Sequence, residues 1–173
     1  EIFSFVRLLV PAGADPTYRG LGSMLYAVLT HRDVFGAVRN DASLVPKVVH
    51  ESLRWEAPTA ILPRFAPKDV RFGDVDIPAE SEVLFAITSA NRDAAAFANP
   101  DRFDPGRSER EFLSFGHGLH FCLGSHLARR EMEVSLRVLS ERLPDLRLAD
   151  PAASIHGTVL RGPAVLPTAW GRG

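Results

Sequence analysis

The sequence predicts a mainly α-helical protein with a small antiparallel β-sheet, an α+β fold in one domain. Three observations carry that reading. Apolar residues recur at helical spacing in three segments, they alternate singly between Ile61 and Thr88, and turn residues separate these stretches.

In chain order, Leu21, Met24, Leu25, Val28 and Leu29 recur at three and four, the stripe of a helix running to about His31. Upstream, Ile2 to Val10 is too apolar all round for a surface helix and reads as buried. Pro11, Gly13 and Pro16 lie between these halves, so either two helices meet there or one long helix is distorted. A second helix is expected from about Leu44 to Trp55. Ser43 stands at its N-cap, Pro46 is tolerated in the first turn, and Val45, Val48, Val49 and Leu53 face inward. It ends before Pro58. Val70/Phe72, Val75/Ile77 and Val83/Phe85/Ile87 then alternate around Gly73 and Pro78, as in a small antiparallel sheet.

Asn99 to Phe121 has no period but carries Phe103, Phe112, Phe115 and Phe121, which argues for a packed loop. The last strong helix runs from about Leu123 to Leu143, with Leu127, Met132, Leu136 and Leu139 inward, and Pro144 stops it. Short extended pieces around Leu146, Val159 and Val165 close the chain.

Composition bounds the function. With 173 residues, 46% of them hydrophobic and 24% charged, the chain is ordinary globular material and not a disordered tail. Twenty Lys+Arg against 21 Asp+Glu leave a net charge of −1, which gives no electrostatic case for a nucleic-acid or anionic-membrane partner. The longest apolar run, Met24 to Leu29, is far short of the roughly 20 residues of a spanning helix. A soluble, cytoplasmic protein is expected. Ile2 to Val10 resembles a signal peptide only superficially, because Glu1 opens it, Arg7 interrupts it and no basic region precedes it. The absence of an initiator Met leads us to expect that residue 1 lies inside a longer chain. The single cysteine, Cys122, excludes an internal disulfide and fits a reducing compartment.

That cysteine lies in Phe115-Gly116-His117-Gly118-Leu119-His120-Phe121-Cys122-Leu123-Gly124-Ser125-His126-Leu127-Ala128-Arg129, where a glycine-flanked loop enters the last helix. A helix N-terminus favours an anion, so the thiol should ionise more readily and can bind a metal. The residues alone leave alternatives open: a buried cysteine acting as a small hydrophobe, a zinc site of His117, His120, Cys122 and His126, or a nucleophilic thiol. Glu51 and Arg54, three apart on one helix face, read by themselves as an exposed ion pair.

The loop closely resembles the heme-binding signature of the cytochrome P-450 family: Phe, two Gly, a basic residue, then Cys-x-Gly before Leu-Ala-Arg. The resemblance implies the C-terminal portion of the P-450 fold, with residues 1–173 as one heme-binding portion and the N-terminal half of the family fold absent. It implies heme b (iron protoporphyrin IX) ligated by Cys122, with Phe115, Gly116 and Ala128 also at the cofactor. Glu51 and Arg54 match the family's Glu-x-x-Arg motif, and Arg107 in Phe103-Asp104-Pro105-Gly106-Arg107 is the implied third member. Arg64 and His120 are the implied partners of the heme propionates. Ala90-Asn91-Arg92-Asp93, Arg161-Gly162-Pro163, Leu166-Pro167 and Trp170 match the soluble bacterial branch.

Ala12-Gly13-Ala14-Asp15-Pro16-Thr17 falls where the family's central helix carries an acid and a threonine that relay protons. Asp15 matches the acid, Pro16 replaces the threonine, and Thr17 stands about 100° further round the helix. Asp15 and Thr17 are therefore the proton-handling candidates. Ala12, Ile61, Leu62, Val159 and Leu160 fall where the family lines its substrate pocket. The implied function is a heme-thiolate monooxygenase acting on a small organic substrate with O₂, with electrons from a ferredoxin and ferredoxin reductase type of donor. The alternative is a heme-binding or interaction module without that activity.

Overall fold

A computed structural model describes residues 1–108 and 111–171. Helix α1 spans Ile2–Thr30 without interruption, with Pro11 and Pro16 inside it. One long helix, not two, is thus the outcome. Its buried residues all lie from Gly20 onward, among them Met24, Ala27, Val28 and Leu29. The first half is not buried as expected: Ile2 is 81% and Phe3 86% exposed, and Phe5, Leu8 and Val10 also face out. No other described element packs along that half.

A short helix, α2 (Arg32–Asn40), was not expected. It turns Phe35 and Val38 into the core. A single 3-10 turn, Ala42–Leu44, leads into α3 (Val45–Trp55). Ser43 is not the N-cap. Asp41 accepts a hydrogen bond from the Ser43 N–H at 2.9 Å and caps the preceding turn, while α3 itself has no side-chain cap. Val45, Val48, Val49 and Leu53 are buried as their spacing predicts.

The alternating region folds as two separate antiparallel ribbons and not one sheet. Strands β1 (Ile61–Phe65) and β4 (Glu82–Ala86) pair with Leu62 opposite Phe85 and Arg64 opposite Val83, while β2 (Val70–Phe72) and β3 (Val75–Ile77) pair with each other. Ile87 leaves the strand pattern. It opens the short helix α4 (Ile87–Ala90) and drops into the interior, its N–H donating to the Ala60 carbonyl at 2.8 Å.

Helix α5 (Ser125–Arg142) buries Met132 and Leu136, with Leu139 partly buried behind them. Leu127, expected inward, is 65% exposed because it faces an open cleft. The C-terminal segment adds two more short pairs, β5 (Arg147–Leu148) with β8 (Thr168–Ala169) and β6 (Ile155–His156) with β7 (Gly162–Pro163). These fall beside Val159 and Val165 and do not include them. The core thus forms between the second half of α1 and helices α2, α3 and α5. Among the described residues no helix is long and apolar enough to cross a membrane.

Candidate functional site

The loop before α5 is held by its own backbone. Two 3-10 turns, Leu113–Phe115 and Gly118–His120, flank Gly116. Gly116 has φ 75° and Gly118 φ 69°, in the left-handed region where a side chain is costly. The Cys122 N–H donates to the Phe115 carbonyl at 2.8 Å, closing the loop on itself, and the Ser125 N–H donates to the Cys122 carbonyl at 3.3 Å.

The thiol is exposed, which overturns the reading of Cys122 as a buried small hydrophobe. It lies just ahead of α5, whose first N–H groups have no side-chain cap, so the positive end of the helix stands beside the sulfur. The zinc alternative fails as well. Among the described residues no three His, Cys, Asp or Glu are placed to hold a metal ion, so His117, His120, Cys122 and His126 do not converge.

Cys122 opens into a cleft of about 330 Å³. One wall is α1, through Ala12, Gly13, Pro16, Thr17 and Gly20. The facing wall is the cysteine loop and α5, through Phe115, Gly116, His120, Gly124, Leu127 and Ala128, and β1 adds Leu62 and Arg64. Gly13 and Gly124 stand on opposite walls, and a Cβ at either would meet nothing within 4 Å. At these two positions neither wall carries a side chain into the cleft. His117, which the resemblance did not single out, also lines it.

Nine of the expected site residues therefore meet in one cleft. Ile61, Val159, Leu160 and Asp15 do not line it. Val159 and Leu160 are close by through the backbone: the Ala60 N–H donates to the Val159 carbonyl at 2.8 Å, and Leu160 bridges Thr59. Thr17 departs from its helical-wheel expectation. The cleft takes in residues 12, 13, 16, 17 and 20, a stripe broad enough to include Thr17 alongside Pro16. Asp15 lies off that stripe and pairs with Arg19 at 3.0 Å. Hydrogen bonding from Tyr18, and then from Arg19, holds its carboxyl below the ordinary carboxylate value.

Behind the loop lies a buried ion pair. Glu51 is 2% and Arg54 1% exposed, so the pair is not the surface bridge its spacing alone suggests. Arg54 donates to both Glu51 oxygens at 2.8 Å and to the carbonyls of Asn91 at 2.8 Å, Pro100 at 2.9 Å and Arg102 at 3.2 Å. Arg107 reaches Glu51 Oε1 at 3.4 Å and donates to the carbonyls of Ala98, Asn99 and Arg102. Phe103, between them, is buried.

Asn91 was read only as part of a matching string, yet it ties this network to the loop. Its Nδ2 donates to Ser114 Oγ at 2.8 Å, its Oδ1 accepts from the Leu113 N–H at 2.7 Å, and Ser114 Oγ donates to the Leu53 carbonyl at 2.6 Å. Its neighbours Thr88, Ser89, Arg92 and Asp93 are polar too, so nothing in the local pattern set it apart.

The chain sets a thiol at a helix N-terminus across a cleft from a long helix, and it belongs to the cytochrome P450 family. The family model described as Cytochrome P450 matches residues 1–142. The chain is 40% identical over 171 residues to Cytochrome P450 107B1 of Saccharopolyspora erythraea, covering 96% of this chain and 42% of that protein. It is 43% identical over 170 residues to the 6-deoxyerythronolide B hydroxylase of the same organism, again covering 96% and 42%. The structure of the tirandamycin C-bound P450 monooxygenase TamI superposes with a TM-score of 0.94 at 38% identity, over 99% of this chain and 44% of that one. The chain thus spans less than half the length of the relatives it matches.

Proposed function

We propose that the chain is the heme-ligating, C-terminal portion of a soluble, cytoplasmic bacterial P450 monooxygenase that inserts one oxygen atom from O₂ into a small organic substrate. The observation that carries this reading is the single cleft onto which Cys122, Arg64 and His120 all open, facing α1. The donor set fits a planar dicarboxylate macrocycle. It offers one thiol for a metal, a guanidinium and an imidazole for carboxylates, apolar surface from Leu62, Leu127 and Met132, and no side chain at Gly13 or Gly124 to block a flat group.

Bound there, heme b supplies the oxygen chemistry, with thiolate donation favouring O–O cleavage. Cys122 would hold the iron, with the uncapped end of α5 stabilising its anionic sulfur. Arg64 uses one N–H on the Pro63 carbonyl at 2.8 Å and has others for a propionate, alongside His120. Phe115, Gly116 and Ala128, all in the cleft lining, would contact the bound macrocycle. Ala12 and Leu62 touch substrate, while Val159 and Leu160 adjoin the cleft through Ala60 and Thr59 and Ile61 through its neighbour Leu62.

Thr17 and Asp15 handle protons. Thr17 donates its hydroxyl hydrogen to the Gly13 carbonyl at 2.9 Å, and Asp15 has to leave Arg19 before it faces the cleft. Glu51, Arg54 and Arg107 keep the loop's foundation rigid. Electrons arrive from a ferredoxin and ferredoxin reductase type of donor.

A CO spectrum of the reduced, heme-loaded protein tests the reading. A strongly red-shifted Soret band supports thiolate ligation, and its absence overturns it. The exposed first half of α1 favours a second reading, a heme-binding module without turnover, because that end of the cleft's long wall has no cover among the described residues. Product formation with reductant and O₂ separates the two.

A further inference from the structure

Taking the cleft as the substrate site proposed above, we infer that its α1 wall selects substrates carrying a hydroxyl or amine donor, through the backbone carbonyl of Ala12. In an α-helix that carbonyl is bonded by the N–H four residues on, and here the residue four on is Pro16, which has none. Ala12 and Pro16 both line the cleft, so the carbonyl that loses its helical donor belongs to the turn facing it.

The other polar groups on this wall have the same sense. Thr17 is the only lining residue of α1 with a polar side chain, and its hydrogen is already given to Gly13, which leaves oxygen lone pairs. Gly13 adds no side chain that would shield the backbone, since a Cβ there would meet nothing within 4 Å. Asp15 is turned off the wall and held by Arg19. The α1 side therefore presents acceptors, while the N–H groups of the cleft, on Arg64, His117 and His120, lie on other elements.

A donor-bearing substrate completes the Ala12 carbonyl. A ketone or ether at the same place meets oxygen with oxygen and leaves a desolvated acceptor unpaired. The position where the resemblance implies a threonine thus becomes one that asks the substrate to bring the hydroxyl.

The test is calorimetric binding of three compounds with one skeleton, 2-adamantanol, 2-adamantanone and adamantane, to the heme-loaded protein that carries this chain, as wild type and as Pro16→Ala. Alanine returns the N–H and is a better helix former, so the variant is not expected to unfold. In the wild type the alcohol should bind about fivefold more tightly than the ketone, the worth of one neutral hydrogen bond. In Pro16→Ala that preference should vanish. Equal affinities in the wild type, failure of the alcohol to bind, or an unchanged preference in the variant overturns the inference. A water resident on the carbonyl gives the first of these. The CO band recorded on the same samples keeps the functional reading separate. The band without the preference removes this inference alone, and the preference without the band removes the monooxygenase reading and leaves the carbonyl its role.

Discussion

Arg54 grips Glu51 through two nitrogens, each 2.8 Å from a different carboxylate oxygen, in a position from which water is excluded. The same guanidinium donates to the carbonyls of three loop residues, so the pair anchors the segment from Asn91 to Arg102 onto α3. Glu51→Gln and Arg54→Leu should each cost about 3–5 kcal/mol, because the remaining charge stays buried without its partner. Denaturant melts of the heme-loaded protein measure this, and a loss under about 1 kcal/mol would return the pair to the class of surface bridges. Arg107→Gln should cost less than either, since Arg107 sits 3.4 Å from Glu51 and keeps its carbonyls only at the rim.

Asn91 is fully buried and uses both ends of its amide, one on the Leu113 N–H and one on Ser114. Asn91→Asp keeps the acceptor and loses the donor, whereas Asn91→Leu loses both and strands a backbone N–H at about 1–3 kcal/mol. The expected signature is spectroscopic. In the CO complex the share of thiolate-ligated heme should fall from wild type to Asp to Leu, as Phe115 and the Cys122 N–H that bonds to it lose their footing. An undiminished thiolate band in the Leu variant would show that the loop stands by itself.

Cys122→Ala should abolish the red-shifted CO band, and Cys122→His should retain heme with the spectrum of a nitrogen-ligated iron. No other thiol exists in the chain to substitute. Recovery of the band in the Ala variant would remove Cys122 from the site.

Asp15 owes its depressed pKa first to Tyr18 and then to Arg19. Tyr18→Phe should therefore raise it toward the ordinary value of 3.8, and carbon-detected NMR titration of the carboxyl reads this directly. The sign follows from the direction of the shift. The interaction is fully present above the ordinary carboxylate value and is lost as pH falls through the depressed one, so the effect of Tyr18→Phe should disappear under acid. An unchanged titration would mean that Arg19 alone holds the carboxylate.

Much of the helical frame was legible because periodicity reports which side of an element is apolar: Val45, Val48, Val49 and Leu53 face inward as read. The cysteine loop was legible by motif, and its exposed thiol came only with the fold. Periodicity does not report whether a partner exists. Ile2 to Val10 has the composition of buried helix, yet nothing in the described chain lies against it. Glu51 and Arg54 show the same limit from the other side, since a pair three apart looks alike in water and in a core. What decides is the ring of carbonyls from Asn91, Pro100 and Arg102, contributed by loops without a period. Helix α2 was missed because nine residues with two buried positions make too short a stripe.

The uneven burial of α1 has a colloidal consequence. Its second half is cemented into the core, while Ile2, Phe3, Phe5, Leu8 and Val10 project into water from a rod several turns long. Each such side chain forgoes on the order of 1.5–3 kcal/mol relative to burial, so two copies laid strip to strip recover a sizeable free energy. A 173-residue preparation should therefore sediment as dimers or larger species whose proportion rises with concentration. Charged replacements at Phe3 and Leu8, neither of which lines the Cys122 cleft, should disperse them and leave the cysteine loop unaltered.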